Sequence, residues 1–160
     1  MTRPARRELF GKLAMLGGFV TLGAAAPAAA QAPTKRFVKR EAAERSGYSQ
    51  AVVTQGGRTI WLAGHTGAVD SSGKSLAGDF DAQVRAVFAA IEATLAEAGG
   101  KPSDMVTMTA FLTDMRNQRR FTDLRREILG KDFPASAAIG ISHLANPNAL
   151  LEIQAVAVVA

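Results

Sequence analysis

The sequence predicts an α+β fold, a two-layer sandwich in which two helices pack on one face of a single sheet. Three observations support this: two segments with a helical apolar period, several β-prone runs around them, and the resulting order β-β-α-β-α-β-β. The chain has 160 residues, enough for one domain, and shows neither an internal repeat nor a second domain.

The first two strands are predicted on either side of a glycine turn. Residues 48–53 and 59–63 are β-prone runs, and the Gly-Gly pair between them supplies turn conformations, so we predict a hairpin. Residues 31–46, before the hairpin, are charged and lack a sustained apolar period. That pattern is typical of a mobile arm or a short edge element.

The first predicted helix spans residues 79–98. Its apolar residues recur at spacings of three and four and form one stripe, made up of Phe80, Val84, Val87, Phe88, Ile91 and Leu95. Gly99 and Gly100 end this helix, and Pro102 prevents its resumption. The β-branched and apolar residues 104–113 then predict a strand.

The second predicted helix, residues 117–129, is more polar. Phe121, Leu124 and Ile128 lie on its buried side, with Leu129 as a further candidate. The segment also carries a basic run: Arg116, Arg119, Arg120, Arg125 and Arg126. We interpret this run as a solvated helix face, with an anion-binding or nucleic-acid surface as the alternative. Aromatic residues that could stack on bases are sparse, which disfavours nucleic acid.

The chain ends in two predicted strands, the first beginning at residue 133 and the second spanning residues 150–159, joined by a loop at 145–149. Side chains alternate between the faces of a strand, so Glu152 and Gln154 share one face of a strand that is apolar on both sides. A polar pair held there must find partners, and a ligand is one such partner.

The sheet has more apolar surface than its own helices can cover. Two helices cover one face, whereas the last strand is apolar on its other face too. Another molecule must then bury that second face, and another copy of the chain is the simplest source. The sequence therefore predicts a closed homo-oligomer.

Residues 1–30 predict a cleaved export signal. A basic leader precedes an apolar run at 13–26, and Ala28-Ala29-Ala30 supplies the small residues of a cleavage site. The run has about 14 residues, short of the roughly 20 that span a bilayer, so we predict cleavage and not a membrane anchor. The Arg6-Arg7 pair resembles the twin-arginine signature. We therefore expect a periplasmic or secreted protein.

Charge and composition exclude several function classes. Removing the leader lowers the formal net charge from +5 to about +2, so the high pI says little about nucleic acid. The sequence contains no cysteine and only two histidines, without an acidic cluster beside them, which makes a poor metal site. We expect no cofactor, no metal, no nucleic acid and, once the signal is removed, no membrane partner.

Four short segments carry a resemblance to a known family. They are the Gly-Tyr-Ser-Gln-Ala-Val start of the first strand, the Ala-Gly-His-Thr-Gly end of the second, the Phe-Pro-Ala segment and the Glu-Ile-Gln-Ala-Val-Ala-Val close. They resemble the Rid, or YjgF-type, family of reactive intermediate deaminases. The resemblance covers about residues 46–160, so we define an arm at 31–46 and a Rid-like domain at 47–160.

Membership of this family would imply a chorismate-mutase-like fold and a barrel-like homotrimer. Its three clefts would each be lined by residues of two chains. Active members hydrolyse enamine and imine intermediates, such as 2-aminoacrylate, to 2-keto acids and ammonia without a metal or an organic cofactor.

The resemblance also assigns two catalytic candidates. Glu152 matches the family glutamate, whose implied role is to hold or activate the attacking water. His65 stands where many relatives have Gln, and a histidine there could act as an acid or base near neutral pH. The alternatives are a structural carboxylate and a packed or solvated histidine. His143, on the predicted penultimate strand, is a further candidate. Gln154 stands where relatives often have a second glutamate, and we interpret it as a structural amide that lines the trimer interior.

Four further residues stand at the family's substrate-binding positions. Tyr48 corresponds to the cleft tyrosine, and Gly64 to a backbone N–H close to the ligand. The alternatives are ordinary packing of Tyr48 at the hairpin base and a plain strand-end glycine. Ser136 and Ala137 follow the Phe-Pro-Ala segment. Active members place an arginine directly after that segment, where its guanidinium pairs with the substrate carboxylate at two points.

A serine at position 136 supplies neither the charge nor the two-point grip of that arginine. The chain therefore resembles the arginine-lacking branches of the family, and standard 2-imino acid deaminase activity is in question. Two functions stay open. One is a cofactor-free hydrolase or deaminase acting on a small imine, enamine or carbonyl-type metabolite, and the other is a non-catalytic ligand-binding or protein-protective trimer.

Overall fold

The computed structural model describes residues 32–160, and the export signal predicted at 1–30 lies outside them. The elements in chain order are β1 (Thr34–Val38), α1 (Glu41–Arg45), β2 (Ala51–Gln55), β3 (Arg58–Trp61), β4 (His65–Thr66), α2 (Phe80–Glu97), β5 (Met105–Leu112), α3 (Gln118–Leu129), β6 (Ala135–Gly140) and β7 (Leu151–Val159). Short 3-10 turns precede β5 and α3.

The C-terminal strand β7 is the centre of the main sheet. β3 and then β4 pair with one of its edges, and β5 pairs with the other, all of them antiparallel. β6 lies outside β5 and runs parallel to it. The buried core joins α2 and α3 to a single face of this sheet. The α+β two-layer fold is thereby confirmed.

The glycine turn does not produce the predicted hairpin. Gly56 and Gly57 have positive φ angles of 73° and 78°, as a tight turn requires. However, β2 pairs with β1 in a separate two-stranded sheet, while β3 joins β7. The prediction of a β2–β3 pair was wrong because residues 34–38 form a strand that pairs with β2.

Helix α2 closely follows the sequence pattern. Asp79 caps it, since the carboxylate accepts a hydrogen bond of 3.0 Å from the Ala82 N–H. Five of the six residues in the predicted apolar stripe are buried in the core, and Phe80 packs against it. Gln83 lies on the same side of the helix and is fully buried, which the pattern did not predict.

The sheet face opposite the helices stays uncovered in one chain. Strand registers place the following residues on this open face: Trp61, Phe111, Ala137, Ile139, Glu152 and Gln154. Trp61 is 80% exposed and Ile139 is 44% exposed. The open face therefore combines exposed apolar side chains with polar ones, among them the Glu152 carboxylate.

Candidate functional site

Glu152 lies on β7 beside β4, with Thr66 and Phe111 opposite it on the neighbouring strands. Its carboxylate packs against Gly64, where an added Cβ atom would lie only 1.7 Å from Glu152 Oε1. Glu152 is half-buried, and no described residue donates a hydrogen bond or forms an ion pair with its carboxylate. The structure therefore brings Gly64 and Glu152 together and leaves the carboxylate available to a ligand or water.

Tyr48 is held beside the outer strand β6 by its neighbour Ser49. The buried Ser49 hydroxyl donates a 2.6 Å hydrogen bond to the Phe133 carbonyl, and its N–H donates to the Pro134 carbonyl at 3.1 Å. These bonds attach the start of β2 to the Phe-Pro-Ala segment. Tyr48, which is half-buried, is thus anchored beside the strand that carries Ser136.

Ser136 contacts an arginine from helix α3. Arg125 Nη1 donates a 2.7 Å hydrogen bond to Ser136 Oγ, and its Nη2 donates to the Ser46 carbonyl. The guanidinium also lies 5.2 Å from the centroid of the Phe121 ring. Burial lowers the pKa of Arg125 to about 10, an effect that Coulomb attraction to Tyr48 opposes. Arg125 therefore remains a cation at neutral pH.

Glu152 and Ser136 belong to two separate groups within one subunit. Ser136 pairs with Met108, and Met108 pairs with Ala155, so Ser136 lies two strands across and three residues along from Glu152. Each of these offsets is about 10 Å at standard strand spacings. Ser136 also faces the helices with buried Met108, whereas Glu152 lies on the open face. Ala137, next to Ser136, lies on the open face opposite Thr109.

His65 lies on the opposite face of the sheet from Glu152. His65 pairs with Ile153 and therefore faces the helices. Its Nδ1 lies 2.9 Å from the Ala63 carbonyl oxygen and its Nε2 lies 3.0 Å from Thr94 Oγ1. The catalytic role of His65 stays a prediction, and one subunit does not bring its ring to Glu152.

His143 is not on a strand, contrary to the prediction, because β6 ends at Gly140. It lies in the exposed connection to β7, where its Nδ1 is 3.0 Å from Ser142 Oγ.

Sequence reasoning missed Arg125 as a candidate site residue. Its place in the basic run of α3 suggested a solvated helix face, yet its side chain is 4% exposed. The helical period contained the signal, since Arg125 follows Phe121 by four residues and precedes Ile128 by three, on the apolar stripe. The solvated interpretation was wrong for this residue, whereas Arg116, Arg119, Arg120 and Arg126 are exposed.

Residues 32–160 contain neither a metal-binding cluster nor a helix that could span a membrane. Across residues 32–160, no three His, Asp or Glu side chains are grouped closely enough to hold a metal ion. No helix in the same part of the chain is long and apolar enough to cross a membrane.

Comparisons with known proteins agree with this fold. Residues 38–159 match the family model described as endoribonuclease L-PSP. A RutC family protein of Pyrococcus abyssi is 32% identical over 110 residues, which are 69% of this chain and 84% of that relative. A 2-iminobutanoate/2-iminopropanoate deaminase of Dermatophagoides farinae is 29% identical over 112 residues, 70% of this chain and 85% of the relative.

A solved structure of a Rid family protein has the same fold. The Rid family protein YyfB of Yersinia pestis superimposes with a TM-score of 0.69 and 29% identity, covering 78% of this chain and 98% of that structure. The family model alone covers well over half of the chain. This chain therefore belongs to the Rid family, also called the YjgF or L-PSP family.

Proposed function

We propose that the protein hydrolyses the C=N bond of a small imine metabolite, or of the imine tautomer of an enamine, in clefts between subunits and without a cofactor. The observation that carries this proposal is the Glu152 carboxylate, half-buried against Gly64 and free of partners among the described residues. A carboxylate so placed can hold a water molecule and accept its proton. The relatives named 2-iminobutanoate/2-iminopropanoate deaminases, from Dermatophagoides farinae and Homo sapiens, support this reaction type.

The reaction would take place in two steps. Glu152 would accept a proton as water adds to the carbon of the protonated imine, which gives a neutral carbinolamine. Glu152 would then return this proton to the amino nitrogen and accept the hydroxyl proton, so that the carbon–nitrogen bond breaks and the carbonyl product forms. The departing ammonia takes up that last proton and leaves as ammonium, which restores the carboxylate. Each step needs one carboxylate that alternates between base and acid.

The cleft would need residues from two copies of the chain. Glu152 packs against Gly64, whereas Ser136 lies on the opposite face of the same subunit's sheet and Tyr48 is anchored beside the strand of Ser136. A neighbouring copy seated on the open face could bring its own Tyr48 and Ser136 toward Glu152. We infer a closed homotrimer on this ground and from the apolar open face, which carries Trp61.

The test is turnover of 2-iminobutanoate generated in situ by an amino acid oxidase, with release of 2-oxobutanoate and ammonia as the readout. We expect the wild-type protein to accelerate this release. Glu152→Gln should lower the rate by about 10²- to 10⁴-fold, because the amide keeps the shape but cannot accept the proton. Glu97→Gln, an exposed change near the end of α2, is the matched control and should retain full activity.

Two results would contradict catalysis by Glu152. One is unchanged turnover in Glu152→Gln, and the other is no acceleration over a panel of imines. If acceleration is absent but small carbonyl compounds still raise the melting temperature, the protein is a non-catalytic binding module on the same scaffold.

A further inference from the structure

Arg125 is a buried cation without a counter-ion among the described residues. Its side chain is 4% exposed, and it takes part in none of the salt bridges of residues 32–160. The two hydrogen-bond acceptors that it contacts, Ser136 Oγ and the Ser46 carbonyl, are both neutral. Its Nε is buried and has no hydrogen-bond partner in this part of the chain.

This arrangement is costly unless an anion completes it. Burying an unpaired ion costs several kcal/mol, and buried charges in proteins are normally paired and hydrogen-bonded. The Phe121 ring offsets part of that cost through a cation–π contact. A guanidinium has five N–H donors, of which two are used here, so most of its donor capacity is open.

Ser136 is placed to bind an anion together with Arg125. Its hydroxyl oxygen accepts from Arg125, which leaves its own O–H free to donate to a bound anion. Ser136 and Tyr48 are only half-buried, and theirs is the side from which a small ligand would have to reach the guanidinium. Because Oγ lies 2.7 Å from Nη1, a longer side chain at position 136 would collide with the guanidinium.

We propose that Arg125 is the anion-binding residue of the cleft and that its guanidinium, with the Ser136 hydroxyl, binds the carboxylate of the substrate. The position of this site follows from the contacts of Arg125, whereas the identity of the ligand rests on the proposed function. The charge that position 136 lacks is thus supplied from α3. The substrates are then carboxylate-bearing imines, and their neutral analogues are excluded.

Binding of 2-oxobutanoate to the whole protein, measured by calorimetry, tests the assignment without turnover. Arg125→Met should weaken binding at least tenfold, because the positive charge and all N–H donors of the guanidinium are lost. Arg125→Lys should recover only part of the affinity, since an ammonium keeps the charge but not the planar pair of donors. Arg126→Met, an exposed neighbour on the same helix, is the matched control and should stay within twofold of wild type.

A second measurement uses the wild-type protein, so it does not depend on the variants folding. In protein labelled with ¹⁵N-arginine, the buried Arg125 Nε–H should give a protected resonance. That resonance should shift on addition of 2-oxobutanoate and stay in place with the neutral 2-oxobutanamide.

The proposal is overturned if a folded Arg125→Met variant binds 2-oxobutanoate as tightly as wild type does. It is equally overturned if wild type binds the amide as well as the acid, or binds neither. Failure of the proposed function looks different, because carboxylate binding that depends on Arg125 would then persist without imine turnover. Conversely, full turnover in Arg125→Met would remove this assignment and leave the proposed function intact.

Discussion

In the candidate site, the absence of a side chain at Gly64 makes room for the Glu152 carboxylate. An added Cβ at Gly64 would lie 1.7 Å from Glu152 Oε1 and 2.6 Å from its Cδ. No side chain fits that gap, so any residue other than glycine must displace the carboxylate. Gly64 therefore determines where the Glu152 carboxylate can lie.

Gly64→Ala tests this contact. The displaced atoms are the flexible end of an unbonded side chain, so we expect the free energy of unfolding to change by less than about 1 kcal/mol. Imine turnover should fall by roughly ten- to hundredfold, because the base is moved by an ångström or more. Turnover and thermal unfolding of the same samples measure the two effects.

A double-mutant cycle distinguishes this account from a direct role of the Gly64 backbone. If Gly64→Ala acts only by moving the carboxylate, it should have no further effect in a Glu152→Ala background. Additive losses would contradict the positioning role and favour a contact between the Gly64 N–H and the ligand.

The positions of individual side chains show which parts of the candidate site can be predicted from the sequence. The period of two placed Glu152 and Gln154 together on one strand face, and the registers confirm that placement. The charge of Arg125 predicts a solvated side chain, whereas its position on the apolar stripe indicates burial, and burial is what the structure shows. The contact between Arg125 and Ser136 joins two elements and becomes visible only once α3 packs against β6.

At the scale of the elements, one amide attaches the last loop to helix α2. The Gln83 side chain is fully buried. Its Nε2 donates to the Leu76 carbonyl at 2.9 Å and to the Asn148 carbonyl at 2.8 Å, and its Oε1 accepts from the Leu150 N–H at 2.8 Å. All three partners are backbone groups, and Leu150 directly precedes β7.

Gln83→Leu removes all three bonds while filling a similar volume. Three backbone groups would lose their partners in a buried place, so we expect the protein to be destabilised by about 3 kcal/mol. Urea unfolding at matched protomer concentration measures the change. The exposed Gln118→Leu, at the start of α3, is the control and should stay within about 0.5 kcal/mol of wild type. A loss of under 1 kcal/mol in Gln83→Leu would contradict the attachment role.

The elements themselves were largely predictable, but their pairing was not. Both long helices and β5 were predicted to within one residue at each end, because apolar periods and glycine or proline stops are local signals. The pairing of β2 with β1 was missed because residues 34–38 carry Lys35 and Arg36 and look like an arm. Strand pairing depends on distant partners, which local propensity does not encode.

At the scale of the whole molecule, the open face and the separation of Glu152 from the Arg125–Ser136 group both favour assembly with a second copy of the chain. The open face presents Trp61 and Ile139 to solvent, and it also carries Glu152. The Arg125–Ser136 group faces away from it. A second copy that covers the apolar surface would at the same time supply the missing group, so assembly and activity should be lost together.

Trp61→Arg tests this coupling. Burying a tryptophan at an interface contributes about 2–4 kcal/mol, and a closed trimer repeats the contact three times. At micromolar concentration we therefore expect the wild type to sediment as a trimer and Trp61→Arg as single subunits, with imine turnover lost in parallel. Val69→Arg is the matched control: Val69 is 52% exposed but lies in the loop before α2, so assembly and turnover should both be unchanged. A wild-type protein that is monomeric and fully active would contradict the shared cleft, because one subunit keeps Glu152 and Ser136 about 10 Å apart in two directions.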